Sequence, residues 1–299
     1  MLLATLMLLS LPQDPALEHP VRLDRTGIVW ALPFEKHLTY DDIKTIADHL
    51  HYVGSNSHDG NGISGSVGGG HAHCGAMIYL GDSFPERYRN VVFMNNVHGK
   101  RINTDLPRRS GSGFTASHGE DFLLANDQWY MGVNLRYGPD GSVFLIDWYD
   151  ARACHDRRPE NWDRTNGRLY KVSCGEARTD TVNLAAMSDS ELVALQLHRN
   201  DWYVRTARRV LQERGPNPAV HGALRTILAN NTDVTRKLRA LWALHATQGL
   251  DEPLALAQLA SDEEYVRAWT IQLLTESRRA SAAVLAKLES MAVSDGSPV

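Results

Sequence analysis

Apolar residues in the first 175 positions fall into short runs of strand length, separated by turn-forming residues. Gly81-Asp82, Pro139-Asp140-Gly141 and Asn166-Gly167 are the clearest turns, because these residue types adopt the backbone angles that tight turns require. Short strands at this spacing are typical of an all-β sandwich, barrel or propeller. The predicted strands cover residues 76–80, 91–97, 101–106, 131–137, 142–148 and 168–173.

The segment before these strands has a mixed pattern. Residues 11–38 contain four prolines and no sustained period, which predicts mostly loop. A helix is expected from Asp41 or Asp42, because apolar residues recur at helical spacing from Ile43 to Leu50. Residues 54–70 hold seven glycines among serines and predict a long loop, a feature that is usually functional or mobile in compact domains.

The period changes after residue 175. Only four of the 23 glycines lie beyond this position, and helical stripes replace the short runs, so a domain boundary is predicted within residues 176–187. Ser188 with Glu191 and Ser261 with Glu264 have the spacing of capping boxes, and Gly249 has the position of a C-terminal cap. Apolar stripes are expected at Leu192 and Leu195; at Val204, Ala207 and Leu211; at Leu238, Leu241, Trp242 and His245; at Val266, Trp269 and Leu273; and at Val284, Leu285, Leu288 and Met291.

A short internal repeat runs through the helical portion. It consists of Tyr203-Val204-Arg205, Lys237-Leu238-Arg239 and Tyr265-Val266-Arg267, which are separated by 34 and 28 residues. This period is typical of solenoids of paired helices, in which each unit buries its apolar face against its neighbours. The segment resembles HEAT repeats, and an irregular helical bundle is the alternative.

Composition indicates a folded globular protein. The chain has 299 residues, 43% hydrophobic and 22% charged, enough to bury a core in one large or two medium domains. A formal net charge of -4 argues against nucleic acid as a partner, because nucleic-acid-binding surfaces carry a basic surplus. The three cysteines form no CxxC pair and no CxxCH haem motif, and they are too few for a disulfide framework.

The first ten residues, Met1–Ser10, are apolar but short. They lack the basic start and the small-residue cleavage site of a signal peptide, and they are too short to cross a bilayer. Three interpretations stay open: an export segment, an extended apolar N-terminus, and a start codon placed inside a longer gene. No transmembrane segment is predicted, and the sequence alone does not assign a compartment.

His71 and His73 are the first candidates for chemistry. They are two residues apart, so on a strand both imidazoles project to one face, near enough to share a metal ion or a polar ligand. The spacing matches no standard zinc motif, and three interpretations stay open: a metal site, contact with a ligand without a metal, and hydrogen-bonded structural histidines. Further donors available to such a site are His98, Asp147, Asp150 and His155.

Asp147 stands at the end of the apolar run Val143–Ile146. A carboxylate in such a place needs a partner, and Arg168 is predicted to form a structural ion pair with it. The aromatic pairs Trp129-Tyr130 and Trp148-Tyr149 have two interpretations: stacking on a sugar ring or a planar quinone, or packing at the rim of the core.

Several of these segments together resemble a known family. They look like the closing part of the β-propeller in membrane-bound dehydrogenases that are similar to soluble quinoprotein glucose and sorbosone dehydrogenases. The tail Leu197–Arg205 looks like the HEAT-type segment that follows the propeller in those proteins, and the resemblance covers residues 45–290. The β segments that carry it are residues 71–85, Asn95–Gly99, Gly138–Gly141, Asp147–Tyr149 and Gly167–Val172.

The resemblance implies a six-bladed propeller that holds pyrroloquinoline quinone and Ca²⁺ near its axis and oxidises a sugar hydroxyl. A histidine base would take the hydroxyl proton, the quinone would accept the hydride, and a c-type cytochrome domain in larger relatives would accept the electrons. It also implies a periplasmic or cell-envelope location. The blades that bring the catalytic base in such proteins are not expected in this chain. The candidate site residues are His71, His73 and His98 as catalytic, Arg101, Asp147 and Trp148 as cofactor-binding, and His71, His73 and Asp150 as metal ligands.

The chain departs from that pattern in size. A blade takes about 40–45 residues, so residues 71–175 supply two or three blades, and the haem module is missing from this sequence. The expected organisation is an irregular segment at 1–38, a partial propeller at 39–178 and a HEAT-like region at 179–299. Two hypotheses follow: a fragment or degenerate copy of a sugar or alcohol dehydrogenase, or a non-catalytic module that binds a protein partner through its helical repeats or open sheet edge.

Overall fold

The computed structural model describes residues 6–11, 73–97, 99–151, 165–176 and 181–299. The helix predicted from Asp41 or Asp42 and the candidates His71, His98 and His155 lie outside these ranges. The chain divides into two compact units, residues 1–180 and 181–299. The described part of the first unit is built from β-strands and that of the second from helices, so the protein is of mixed β and α class.

The first sheet of the β-rich unit is an antiparallel run of consecutive strands. Its order is β2-β3-β4-β5, and the short strand β6 pairs with β4. The turn between β4 and β5 is formed by Gly111 and Ser112, and Gly111 has the positive φ of 58° that favours glycine there. These strands are β2 (His73–Ile78), β3 (Val92–Asn96), β4 (Arg101–Ser110), β5 (Gly113–His118) and β6 (Leu123–Leu124).

The second sheet contains the remaining strands. β7, β8 and β9 are antiparallel neighbours in chain order, and β1 pairs with β9 in parallel. β7 also contacts β2 and β3, so the two sheets lie side by side within one unit. The bounds of these strands are β1 (Leu6–Leu11), β7 (Gly132–Tyr137), β8 (Val143–Asp147) and β9 (Arg168–Cys174).

Tyr79 joins the two sheets. Its buried hydroxyl donates to the Gly141 carbonyl oxygen at 2.7 Å and accepts from the Ser83 and Phe84 amides, both at 3.2 Å. Burial raises the pKa of this hydroxyl to about 12, so it keeps its proton for that bond. Gly141 has a φ of 73°, and a Cβ there would lie 2.6 Å from the Ser83 nitrogen. The Gly81-Asp82 turn and the Pro139-Asp140-Gly141 turn therefore lie against each other and hold the two sheets together.

A buried ion pair stabilises the same turn. Lys171 Nζ lies 2.5 Å from Asp140 Oδ2, and both side chains are almost fully buried. Burial by itself would raise the pKa of Asp140, but the bonds from Lys171 and Ser142 outweigh it and hold the pKa below its ordinary value. The role of Asp140 and Lys171 is thus structural, because their ion pair holds the β7–β8 turn against β9.

The second unit contains seven helices. They pair in chain order, α1 with α2, α3 with α4 and α5 with α6, while α2, α4 and α6 pack side by side and α1 packs on α3. No helix in the described residues is long and apolar enough to cross a membrane. The bounds are α1 (Asp189–Ala194), α2 (Asp201–Arg214), α3 (Pro218–Asn230), α4 (Val234–Ala246), α5 (Glu252–Gln258), α6 (Glu264–Thr275) and α7 (Ala282–Ser294).

The structure confirms one predicted capping box and corrects the other. Ser188 and Glu191 form both reciprocal bonds at the start of α1. At α6 the N-cap is Glu263, which forms no side-chain cap bond, so the predicted box of Ser261 and Glu264 is wrong. The difference arises because the N-cap lies two residues after the expected position, and the Ser261 hydroxyl accepts from the Glu263 amide instead.

Two further helix predictions need correction. Gly249 does not hold the left-handed position after α4: Gln248 does, with a φ of 63°, and Gly249 follows it. The Gln248 and Gly249 amides bond to the His245 and Leu244 carbonyl oxygens, the pattern of a Schellman motif. Leu285, placed in the last apolar stripe, is 50% exposed, because the buried side of α7 is formed by Val284 and Met291.

Candidate functional site

His73 belongs to a polar network on one face of the first sheet. In the strand register His73 lies opposite Asn96, and Asn96 lies opposite Arg101, so their side chains share a face. Asn103, two residues beyond Arg101, lies on that face as well. Asn96 and Asn103 are buried, whereas His73 is exposed at the start of β2. We call His73, Asn96, Arg101, Asn103 and Asp121 the His73 network.

The hydrogen bonds of this network fix which atoms donate. The Gly99 amide donates to Asn96 Oδ1 at 2.6 Å, so Asn96 Nδ2 donates to Asn103 Oδ1 at 2.8 Å. Asn103 Nδ2 donates to Asp121 Oδ1 at 2.7 Å, which leaves Asn103 Oδ1 facing His73 Nε2 at 3.2 Å. Because Asn103 Oδ1 can only accept, Nε2 must carry the hydrogen. Nδ1 is therefore the basic nitrogen of the neutral ring.

The Arg101 side chain bonds to another member of the His73 network and to the neighbouring backbone. Its Nη1 lies 2.9 Å from Asp121 Oδ2, and its Nε donates to the Gly99 carbonyl oxygen at 2.9 Å. The guanidinium charge is thereby compensated by a carboxylate. The arrangement connects two residues singled out in the sequence, His73 and Arg101, through Asn103 and Asp121.

Asp147 lies in a second cluster, at the end of β8. It is fully buried, and its Oδ1 accepts from the Met131 and Tyr149 amides at 2.8 and 2.9 Å. The predicted ion pair with Arg168 is not formed. Arg168 Nη1 lies 3.3 Å from Asp127 Oδ2 and donates to the Tyr170 hydroxyl at 3.1 Å. Backbone amides, which no sequence pattern identifies, take the place of the expected cation.

Burial controls the electrostatics of this second cluster. It raises the pKa of Asp147 and, with the Asp147 charge adding to the effect, raises the pKa of Tyr130. Tyr130 donates its proton to Asn95 Oδ1 at 2.9 Å. In the described part of the chain Oδ2 of Asp147 has no hydrogen-bond partner, so a charge here is under-compensated.

The backbone after Asp147 is strained. Tyr149 has a φ of 58°, a left-handed conformation that is rare for an aromatic residue. Its ring is held under the Arg168 guanidinium, 3.4 Å from the ring centroid, and packs at 5.5 Å from the Trp129 ring. Trp148, between Asp147 and Tyr149, is 69% exposed. Of the two predicted aromatic pairs, three members therefore pack in the fold and Trp148 projects outward.

The structure separates the predicted cofactor-binding residues. Arg101 lies in the His73 network, Asp147 is buried in the second cluster and Trp148 is at the surface, and no hydrogen bond or ion pair joins Arg101 to the other two. Asp150 is half-buried, with its amide bonded to the Trp129 carbonyl oxygen. Within the described ranges no group of three or more His, Cys, Asp or Glu side chains could hold a metal ion, and His71 lies outside them.

Sequence reasoning missed the residues that hold His73 in place. Asn96, Asn103 and Asp121 are polar residues at or beside buried strand positions, and Asn96 and Asn103 are no more than 2% exposed. A signal was present, because asparagine is uncommon in strand interiors. Two asparagines within predicted strands on either side of a turn therefore indicate a polar network.

One family model matches the chain. It describes a domain of unknown function (DUF7133) and matches residues 35–176, which include all described strands of the β-rich unit except β1. No curated protein and no solved structure matches the chain.

Proposed function

We propose that the two sheets are consecutive blades of a propeller and that the helical unit is a HEAT-like repeat. Each sheet is built mainly from consecutive antiparallel strands, and the first strands of the two, β2 and β7, contact each other as innermost strands of neighbouring blades would. In the helical unit the middle residues of the three repeated motifs, Val204, Leu238 and Val266, are all buried, and each lies within the first five residues of α2, α4 or α6. This shared placement supports the repeat suggested by the sequence.

We infer that the β-rich unit takes part in oxidation of a sugar or alcohol hydroxyl, in which His73 accepts the hydroxyl proton and an external acceptor of the quinone or dye class accepts the hydride. The observation that carries this proposal is the bond between His73 Nε2 and Asn103 Oδ1, which leaves Nδ1 as the basic nitrogen of an exposed ring. Asn103 is itself fixed by hydrogen bonds to Asn96 and Asp121, so it holds the His73 ring in one orientation, as a general base requires.

A quinone and Ca²⁺ are implied by the family resemblance, and in such proteins the bound quinone accepts the hydride. The described residues do not fit that pair. Pyrroloquinoline quinone carries three carboxylates and needs cations, but the Arg101 charge is compensated by Asp121 and Lys171 is paired with Asp140. Among the described residues there is also no cluster of three or more His, Cys, Asp or Glu side chains that could supply the carboxylates of a Ca²⁺ site. The described residues therefore account for the proton transfer by His73, and the hydride acceptor is an external quinone or dye.

A dye-linked oxidation assay on the full chain, with quinone, Ca²⁺ and a panel of aldoses and alcohols, tests the proposal. The key variant is His73→Gln, because the glutamine amide can still donate to Asn103 while it removes the base. We expect the rate to fall by roughly 10²–10⁴-fold, the contribution of a positioned general base. The matched control is His245→Gln in the helical unit, for which we expect an unchanged rate.

Two results would remove the proposal. Equal background rates for the native chain and His73→Gln would exclude the enzymatic function. A native rate that His73→Gln leaves unchanged would show that oxidation occurs without His73.

A further inference from the structure

Two hydrogen-bond donors in the helical unit are buried without an acceptor. In the part of the chain that the structure describes, neither Nη1 of Arg208 on α2 nor Nε1 of Trp242 on α4 has a hydrogen-bond partner. Buried donors are nearly always paired, since leaving one unpaired costs about 1–3 kcal/mol. Two unpaired donors on neighbouring helices indicate that an acceptor comes from another molecule.

These donors belong to a row of side chains that crosses three helices. The Arg208 guanidinium lies 5.6 Å from the centroid of the Trp242 ring. Trp242 packs edge-on against Trp269 of α6, with ring centroids 4.9 Å apart. All three side chains are half-buried, so each keeps part of its surface exposed. We call Arg208, Trp242 and Trp269 the Arg208–Trp269 row.

Arg208 differs from the arginines beside it in having no carboxylate. Asp201 binds Arg205 through Oδ2 at 2.5 Å and Arg239 through Oδ1 at 3.1 Å, and no ion pair joins a carboxylate of residues 181–299 to Arg208. Burial lowers the pKa of Arg208; the negative charge of Asp201 opposes this effect, and the positive charges of Arg205 and Arg239 add to it. A guanidinium with no carboxylate at ion-pair distance within residues 181–299 matches a ligand with one negative charge.

We propose that the Arg208–Trp269 row binds a carboxylate side chain of an acidic peptide segment. The two oxygens of a carboxylate can accept from Arg208 and from the Trp242 indole together, and an apolar neighbour in the peptide covers Trp269. Because both donor atoms lie beneath the surface, Arg208 changes rotamer on binding, a change that is common at interfaces. This site is independent of the oxidation proposed for the β-rich unit.

Fluorescence anisotropy with the full chain tests this site. The probe is a labelled peptide of alternating glutamate and leucine, and the matched peptide has glutamine in place of glutamate. We expect saturable binding of the glutamate peptide with a Kd of about 10–100 μM, and weaker binding of the glutamine peptide. Arg208→Gln should weaken binding at least about tenfold, and Trp242→Phe, which keeps a ring but removes the N–H, about threefold.

The control is Arg209→Gln, on the same helix. Arg209 is exposed and lies 3.8 Å from Glu213, so we expect less than about a twofold effect on the Kd. Circular dichroism confirms that each variant is folded. The proposal is overturned by equal binding of the two peptides, by equal effects of Arg208→Gln and Arg209→Gln, by tighter binding of a phosphoserine peptide, or by no saturation below about 1 mM.

Discussion

Single hydrogen bonds decide what the polar residues of the β-rich unit can do. The Gly99 amide fixes the orientation of Asn96, and Asp121 fixes the orientation of Asn103. The protonated nitrogen of His73 follows from these two constraints. Asp147 is held in a comparable way, but by two backbone amides, and one of its oxygens lacks a hydrogen-bond partner among the described residues.

Replacement of Asp147 tests whether its charge costs stability. Burial raises the folded-state pKa, so the native form binds a proton more tightly than the unfolded chain. The stabilisation that this tighter proton binding gives the folded state is fully present below the ordinary carboxyl pKa of about 3.9. It is lost as the pH rises through the raised pKa of Asp147. Asp147→Asn should therefore be at least as stable as the native chain at about pH 7, and its relative advantage should shrink as pH falls.

The matched variant is Asp147→Ala, which leaves the Met131 and Tyr149 amides unpaired. We expect a loss of about 2–4 kcal/mol at low pH, since each lost bond costs about 1–3 kcal/mol, and a smaller loss at neutral pH, where the native chain has lost the stabilisation that protonated Asp147 provides. Hydrogen exchange by mass spectrometry on peptides from β7 and β8 measures both effects. A native chain more stable than Asp147→Asn at neutral pH would contradict this assignment.

The left-handed residue after α4 provides a test in the helical unit. Gln248 has a φ of 63°, which costs a residue with a side chain more than glycine, so Gln248→Gly should stabilise the unit by about 0.5–1 kcal/mol. Gly249→Ala should destabilise it, because a Cβ there would lie 2.5 Å from His221 Cδ2. Thermal unfolding followed at 222 nm measures both variants, and stabilisation by Gly249→Ala would refute the assignment.

At the scale of elements, one buried arginine links consecutive helix pairs. Arg239 on α4 is 5% exposed, binds Asp201 on α2 at 3.1 Å and donates to the His198 carbonyl oxygen at 2.9 Å. Arg205 binds the same carboxylate within α2, but its side chain is 58% exposed. The first contact joins two repeats, whereas the second stays within one helix.

This difference predicts unequal effects of the same substitution. Arg239→Met removes a buried charge from Asp201 and two carbonyl oxygens, and should cost about 3–5 kcal/mol. Arg205→Met removes an exposed contact and should cost less than about 1 kcal/mol. Urea unfolding followed by circular dichroism measures both. Equal losses would show that the link between α2 and α4 contributes little.

Elements with a clear period could be predicted from the sequence, whereas side-chain partners could not. The six predicted strands correspond to β2, β3, β4, β7, β8 and β9, because their apolar runs lie between strong turn signals. β5 was missed, since Gly113–His118 contains one large apolar residue, Phe114, and no apolar run. The partners of Asp147 are backbone amides, and Arg168 turns to Asp127, because sheet register and not residue type decides which groups meet.

At the scale of the whole molecule, the two units carry different kinds of chemistry. The β-rich unit holds an oriented histidine in a buried asparagine network, and the proposal of hydroxyl oxidation rests on it. The helical unit holds a guanidinium and an indole that lack acceptors among the described residues, which favours recognition of a carboxylate. A substitution in one unit should therefore remove the function proposed for that unit and leave the function proposed for the other unchanged.

The most direct test of the central claim is the tautomer of His73, measured by nitrogen-15 NMR of the full chain with His73→Gln as the assignment control. Above about pH 8 an ordinary imidazole is neutral, and one nitrogen carries the hydrogen. We expect hydrogen on Nε2, because Asn103 Oδ1 can only accept, and loss of that preference in Asn103→Leu. Hydrogen on Nδ1, or a preference that Asn103→Leu leaves unchanged, would contradict this expectation.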